Sequence, residues 1–260
     1  MTTNAADRPA NNPAHSPATK PAGIWPPPTS PARVDGFDLS VVDGPHPLYA
    51  AHQEEIEANW EREAKANPHL FNGQMVLQRH LAYDEGVIRG VAHVIPYSTL
   101  LWWRRQPDFE GALHLFGYPV IVSSDGAIIA IRMSDRTANP GQVYCAAGSL
   151  DLSDIIDGKL DLVGNMVREV REETGLDLSE AEADPHFYAS HKDNRIVVFR
   201  FYRFPVTAEE LTTRIEAHMP HDEEQEIDGV VVIRSADPEA HNYNPLMLPI
   251  MDWFFASVRS

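Results

Sequence analysis

One cysteine in 260 residues, Cys145, excludes an intramolecular disulfide framework. Its place shortly before Gly148 reads as a small core side chain rather than a nucleophile. Cations are also scarce, with 21 Lys and Arg against 38 Asp and Glu and a formal charge of -17. Binding a phosphate backbone needs a basic surface, so nucleic acid is not an expected partner. No run of about 18 apolar residues occurs. The first residues, Met-Thr-Thr-Asn-Ala-Ala-Asp, lack a charged-then-apolar signal organisation. No membrane association is expected, and the cytoplasm is the expected setting. The histidines show no His-x3-His spacing, so no zinc site is predicted. No internal repeat is present.

The informative stretch is residues 168–176, Arg-Glu-Val-Arg-Glu-Glu-Thr-Gly-Leu. On a helix, Glu169, Glu172 and Glu173 fall at i, i+3 and i+4 and project from one face. Three like charges so close repel one another, and a divalent cation would relieve them; hard oxygen ligands suit Mg²⁺ or Mn²⁺. Val163, Met166, Val167 and Val170 form an apolar stripe centred about 120° from the glutamate face. One face is thus expected to pack while the other looks into a cleft. Arg168 stands four residues before Glu172 and can orient it. Asp161 is the expected N-cap and Gly175 the left-handed residue that ends the helix. Mg²⁺ keeps few protein carboxylates and favours substrate phosphate oxygens, which points to a diphosphate-bearing substrate. The plain alternative is a solvated acidic helix with ordinary Arg–Glu pairs; the glycine and the aliphatic positions favour the metal-bearing reading.

Residues 168–176 resemble the second half of the Nudix box, G-x5-E-x7-R-E-U-x-E-E-x-G-U with U aliphatic. Arg168, Glu169, Val170, Glu172, Glu173, Gly175 and Leu176 meet every fixed position of that half. The first half is not met: counting back, its Glu falls on Leu160 and its Gly on Asp154. Gly148 is the nearer equivalent of that glycine, which implies six extra residues before the helix, with Asp157 or Asp161 standing in for the absent Glu.

The resemblance implies an α+β Nudix fold, a mixed β-sheet between α-helices. It implies Glu169, Glu172 and Glu173 as metal ligands for Mg²⁺ (or Mn²⁺), with Arg168, Glu172 and Glu173 in the catalytic set. Asp222-Glu223-Glu224-Gln225-Glu226 is a second acidic cluster. Its Glu224 or Glu226 could add a ligand or act as general base, with Glu224 preferred; a solvated loop is the alternative, and His221 is a further candidate base. The implied reaction is hydrolysis of the pyrophosphate bond in a nucleoside diphosphate linked to another moiety, such as UDP-glucose or ADP-ribose, giving two monophosphates. A catalytically silent module that binds a nucleotide as a sensor is the other reading.

The rest of the chain supplies context. Strands are predicted at 118–123 and 127–133 around Asp125-Gly126, at 142–147, 187–191, 195–204 and 227–233, and helices at 208–218 and 246–258. That order fits a domain over 112–260. Residues 1–34, rich in Pro and Ala, read as a disordered tail. Residues 35–111 read as an N-terminal α/β extension, with a helix over 49–66 and paired strands at 74–82 and 86–95. The order of a Trp-containing helix, a Pro-x-Leu-Phe turn, a strand and a Tyr/Trp segment resembles extended Nudix proteins that hydrolyse UDP-sugars. Trp102 and Trp103 are read as anchors on the core in preference to base-stacking rings. The extension could also mediate a homodimer.

Overall fold

The computed structural model describes residues 31–107, 111–222 and 224–258. Most of the expected tail, residues 1–30, lies outside them. The chain runs β1 (Ala32–Val34), β2 (Gly36–Val41), α1 (Pro47–Ala51), α2 (Gln53–Ala66), β3 (Gln74–Asp84), β4 (Val87–Pro96) and α3 (Tyr97–Trp103). It continues through β5 (His114–Val122), β6 (Ile128–Met133), β7 (Val143–Tyr144), β8 (Ile155–Ile156), β9 (Lys159–Leu160) and α4 (Leu162–Thr174). β10 (Glu182–Ala183), β11 (Phe187–Lys192), β12 (Arg195–Arg203), α5 (Ala208–His218), β13 (Ile227–Ile233) and α6 (Leu248–Val258) complete it. This is an α+β chain with two mixed sheets rather than one.

The larger sheet has the order β1-β11-β12-β5-β6-β13, with β10 added to β12 and β7 to β6. β12 and β5 run parallel and their other neighbours antiparallel. Alternate residues of β12 point to opposite faces, as strand geometry requires. Ile196 and Val198 join Leu162 and Met166 of α4 in one cluster. Phe199 and Phe201 meet Trp253 of α6 at ring separations of 6.0 and 5.7 Å. The helix that carries the glutamates therefore lies on one face and α6 on the other. Gly117, the cross-strand neighbour of Val198, makes the first contact close: a β-carbon there would lie 2.6 Å from Met166 Cε.

The second sheet has the order β3-β4-β2-β9-β8. Its first three strands come from the extension, and its last two from the segment just before α4. The six extra residues inferred between Gly148 and the box helix thus belong to a small β8–β9 hairpin turned by Asp157 and Gly158, both at positive φ. β9 pairs with β2 at Ser40, and Lys159 Nζ reaches Asp38 at 2.6 Å. In the other direction β1 pairs with β11 in the larger sheet, so Ala32–Val34 is a strand inside the stretch read as tail. The expected division at 111/112 is crossed in both senses.

Local departures have simple causes. The helix expected over 49–66 is broken at His52, where φ is -130°. Only Val143–Tyr144 of the strand expected over 142–147 pairs with a neighbour. Trp103 is fully buried and Trp102 nearly so, among Ile56, Leu77 and Ile95, with Trp102 stacked on His52 at 4.7 Å. No helix among the described residues is long and apolar enough to cross a membrane.

Candidate active site

α4 is capped as its sequence demands. The Asp161 carboxylate accepts from the Gly164 amide at 2.8 Å, and Gly175 takes φ 68° at the C-cap. The His218 ring Nε2 donates to the Glu172 carbonyl at 2.8 Å, holding the end of the helix against α5.

The buried row differs from the expected stripe. Leu162, Met166 and Val170 are buried, whereas Val167 is 42% exposed. Asn165, Glu169 and Glu173, spaced by four, form a second buried row beside it. Only Glu172 of the three glutamates faces solvent, with a side chain 58% exposed. The cover over the buried row is the segment around Gly148, against the Glu169 carboxylate. That segment is pinned by β3, because the Val76 amide donates to the Leu150 carbonyl at 2.8 Å and Met75 bridges to Asp151.

Arg168 gathers the acids. Its Nη2 lies 2.9 Å from Glu169 and 3.2 Å from Asp154, and its Nη1 lies 2.9 Å from Glu172. Asp154 is buried and also accepts from the Asp151 amide at 2.9 Å and the Asn165 amide at 3.0 Å. Neither proposed stand-in takes this place: Asp157 is exposed at the hairpin turn, and Asp161 is the helix cap. Asp154 is the residue onto which the box's glycine falls by simple counting. The Asp151-x-x-Asp154 spacing of a capping box, which it completes, was the available signal.

Burial and mutual repulsion raise the affinity of these carboxylates for protons. Burial pushes Glu169 up to about 8 against the opposing pull of Arg168, with Glu172, Glu226 and Asp154 adding repulsion. Glu173 is driven well above the usual carboxylate range by burial, then by Glu169 and Glu226. Both its oxygens are buried without a hydrogen-bonding partner among the described residues. The Ala147 backbone favours the charged form of Glu173 but does not reach bonding geometry. Glu226 is pushed up to about 7 by burial, then by Glu224, Asp222 and Glu172.

Glu226, rather than the preferred Glu224, therefore faces the box carboxylates. Glu224 is exposed and adds to the repulsion on Glu226. His221 is exposed in the turn Met219–His221. Cys145 is buried and its thiol is pushed up by burial, which fits a core side chain.

Two cavities meet at Ala147, Gly148 and Ser149. One, of ≈ 520 Å³, has Asp151, Glu224 and Glu226 in its walls and Phe71 at its rim. The other, of ≈ 300 Å³, is lined by aromatic rings and arginines. A cavity of ≈ 700 Å³ between α2 and the loop before Pro140 touches none of the box residues.

Neither protein-family models nor curated proteins match the sequence. Among solved structures the chain is similar to a Deinococcus radiodurans protein, at 14% identity over 69% of this chain and 99% of that one, with a TM-score of 0.43. It is also similar to the MutT protein from Methanosarcina mazei, at 13% identity over 57% and 96%, TM-score 0.38. The Nudix hydrolase RenU from M. smegmatis overlaps at 7% identity over 56% and 85%, TM-score 0.36. What the site can do is argued from its own residues.

Proposed function

We propose that this chain is a Nudix-type pyrophosphatase that hydrolyses a nucleoside diphosphate linked to a second moiety, using Mg²⁺ or Mn²⁺. One observation carries the reading: Glu173 has both oxygens buried without a partner among the described residues, and Glu169 and Glu226 both repel it, each with its own pKa raised. Folding alone does not ask for such a set, and a hard cation is the partner that relieves it. Glu169, Glu172 and Glu173 would hold the ion, which when bound supplies neutralisation of the diphosphate and a more acidic water.

The chain's own groups perform the rest. Glu226, with a pKa near neutrality, accepts a proton from water as its oxygen bonds to phosphorus and the bridging P–O bond breaks. The electron pair leaves on the second phosphate, giving two monophosphates. Arg168 fixes the rotamers of Glu169 and Glu172, and Asp154 and Asn165 fix Arg168 and Glu169 in turn.

The sensor reading draws on a different observation. Among the described residues no three Asp, Glu, His or Cys side chains are grouped to hold a metal ion, and Arg168 is ion-paired with Glu169 and Glu172. Phosphate release over a panel of nucleoside diphosphate-X compounds, with and without Mg²⁺, separates the two. Cation-dependent release that disappears in Glu173→Gln is the expected result. Ligand binding without release by the folded wild type establishes the sensor instead.

A further inference from the structure

The two cavities share Tyr97, Asn139, Tyr144 and Ala147-Gly148-Ser149 and differ in the charged groups beyond them. The ≈ 520 Å³ cavity carries Asp151, Glu224 and Glu226. Among the described residues the ≈ 300 Å³ cavity has no Asp or Glu in its walls, and it has Arg104 together with Arg195, which is ion-paired with Asp193 at 3.3 Å. In a chain of net charge -17 a wall of that composition is not the default.

Its floor is aromatic. Tyr118 and Tyr144 stack at 6.1 Å with an interplanar angle of 12°, and Phe116 meets Tyr118 edge-on at 5.2 Å. β5 supplies His114, Phe116 and Tyr118, three alternate residues on the sheet face opposite α4. The extension supplies Tyr97 and Arg104 from α3 and its C-cap.

Arg104 is half-buried, and its Nη2 donates to the neutral Asn139 Oδ1 at 2.6 Å. Among the described residues no carboxylate lies within ion-pair distance of it, while the adjacent Arg105 is taken by Glu63. The His114 ring stays neutral, its pKa pushed down to about 3 by burial and then by Arg104 and Arg195. The cavity's positive charge therefore resides in guanidinium groups, which donate and cannot accept. Whatever meets Arg104 must be an acceptor or an anion, and the remainder suits a flat ring that meets aromatic faces on one side and the polar groups of Asn139, Gln142 and Asn244 on the other.

Resting on the hydrolase reading, we infer that this cavity holds the nucleoside 5′-phosphate half of the substrate, the ring against the Phe116–Tyr118–Tyr144 wall and an acceptor oxygen on Arg104. A volume of ≈ 300 Å³ is at the lower end of small-molecule sites and suits a nucleoside. The diphosphate then crosses at Gly148, with the bond to be cut on the side of Glu226.

Calorimetric titration of the full chain with UMP, CMP, AMP and GMP, without divalent cation, tests this. At least one of the four binds the wild type saturably. Arg104→Gln weakens that binding by about tenfold or more, Phe116→Leu weakens it with the charge retained, and Glu173→Gln leaves it within about twofold. In turnover Arg104→Gln raises KM with little change in kcat. Phe116→Leu keeps the test open should Arg104→Gln not fold. The inference is overturned if none of the four binds, or if both variants bind as the wild type does. Binding without cation-dependent hydrolysis removes the hydrolase reading and leaves the cavity; hydrolysis unchanged in both variants removes the cavity assignment and leaves the hydrolase.

Discussion

Gly148 leaves no room for a side chain over Glu169: a β-carbon at 148 would lie 2.5 Å from Glu169 Cδ. The cover of the site and the first box glutamate are thus fitted to each other atom against atom. Gly148→Ala must push the carboxylate out of its row or lift the 147–149 segment. The expected outcome is a loss of about 1–3 kcal/mol in stability, as for an overpacked core. Cation-dependent turnover should fall by more than about tenfold, since a small misplacement of a reacting group has that effect. Urea unfolding and initial rates measure the two separately. A variant with wild-type rates would show that Glu169 need not stay where it is.

Carboxylates with raised pKa values make the cation-free protein less stable in alkali. The folded state holds protons on Glu169 and Glu173 that the unfolded chain has released above about pH 4.5. Their contribution is complete below that value and is lost as pH rises through the folded value, about 8 for Glu169. Glu173→Gln replaces a carboxyl that the unfolded chain ionises and burial keeps protonated, so at pH 8.5 without cation its Tm should exceed the wild type's by roughly 3–6 °C. Mg²⁺ should then raise the wild-type Tm and leave the variant's almost unmoved. Differential scanning fluorimetry reads both effects, and an unchanged or lowered Tm in the variant would count against buried repulsion.

Histidine sets the acid side. Burial lowers the His46 pKa to about 4, and its Nδ1 accepts from the Leu48 amide as the cap of α1. Between about pH 6.5 and 4 the unfolded chain binds a proton that folded His46 refuses. Its stabilising contribution is therefore full above 6.5 and lost as pH falls toward 4, by an amount on the order of 2 kcal/mol. His46→Asn keeps an acceptor for the Leu48 amide and should flatten that limb. Across about pH 4.5–6.5 this single gain is outweighed by the losses from Glu169 and Glu173, so these groups together place the stability maximum of the cation-free protein near pH 4.5. Urea midpoints measured from pH 4 to 9 in both proteins test the shape.

The acids around the box can be ranked by kinetics. Glu226→Gln should lower kcat by about 10²-fold or more, in the range for loss of a general base, and Glu224→Gln by less than about threefold. Asp154→Ala leaves Arg168 and Asn165 without their shared buried partner and should cost about 3 kcal/mol in stability, whereas Asp157→Asn, which keeps a residue tolerant of the positive φ at that exposed turn, should be silent. Equal effects of Glu224→Gln and Glu226→Gln on kcat would remove the assignment of Glu226.

Much of this site could be read from local sequence, because local rules govern those parts. The cap at Asp161, the stop at Gly175 and the presence of α4 follow from residues within a few positions of one another. α5 and β13 match their expected bounds for the same reason. What could not be read depends on partners far along the chain. Burial of Glu169 and Glu173 is set by the segment around Gly148, which β3 holds from more than 70 residues upstream through the Val76–Leu150 hydrogen bond. Glu226 and Glu224 are two residues apart and compositionally equivalent; only the fold distinguishes the one that turns inward. Val167 fits the apolar period as well as Val170 does, and the distinction lies in how α4 is rotated on Gly117.

The β8–β9 hairpin has a further consequence for how the molecule can be handled. A fragment starting at residue 112 would keep α4 and every box residue yet strip β2 from the side of β9. It would also leave β11 without β1, exposing backbone along two strand edges at once. Such a fragment should self-associate through those edges, whatever the merit of its chemistry. The smallest self-contained unit of this protein therefore has to include the strands ahead of residue 42, and the Asp125-Gly126 turn is no place to interrupt it either, since the Asp125 carboxylate accepts from the Ala208 amide at 2.8 Å and from Arg234 at 2.7 Å.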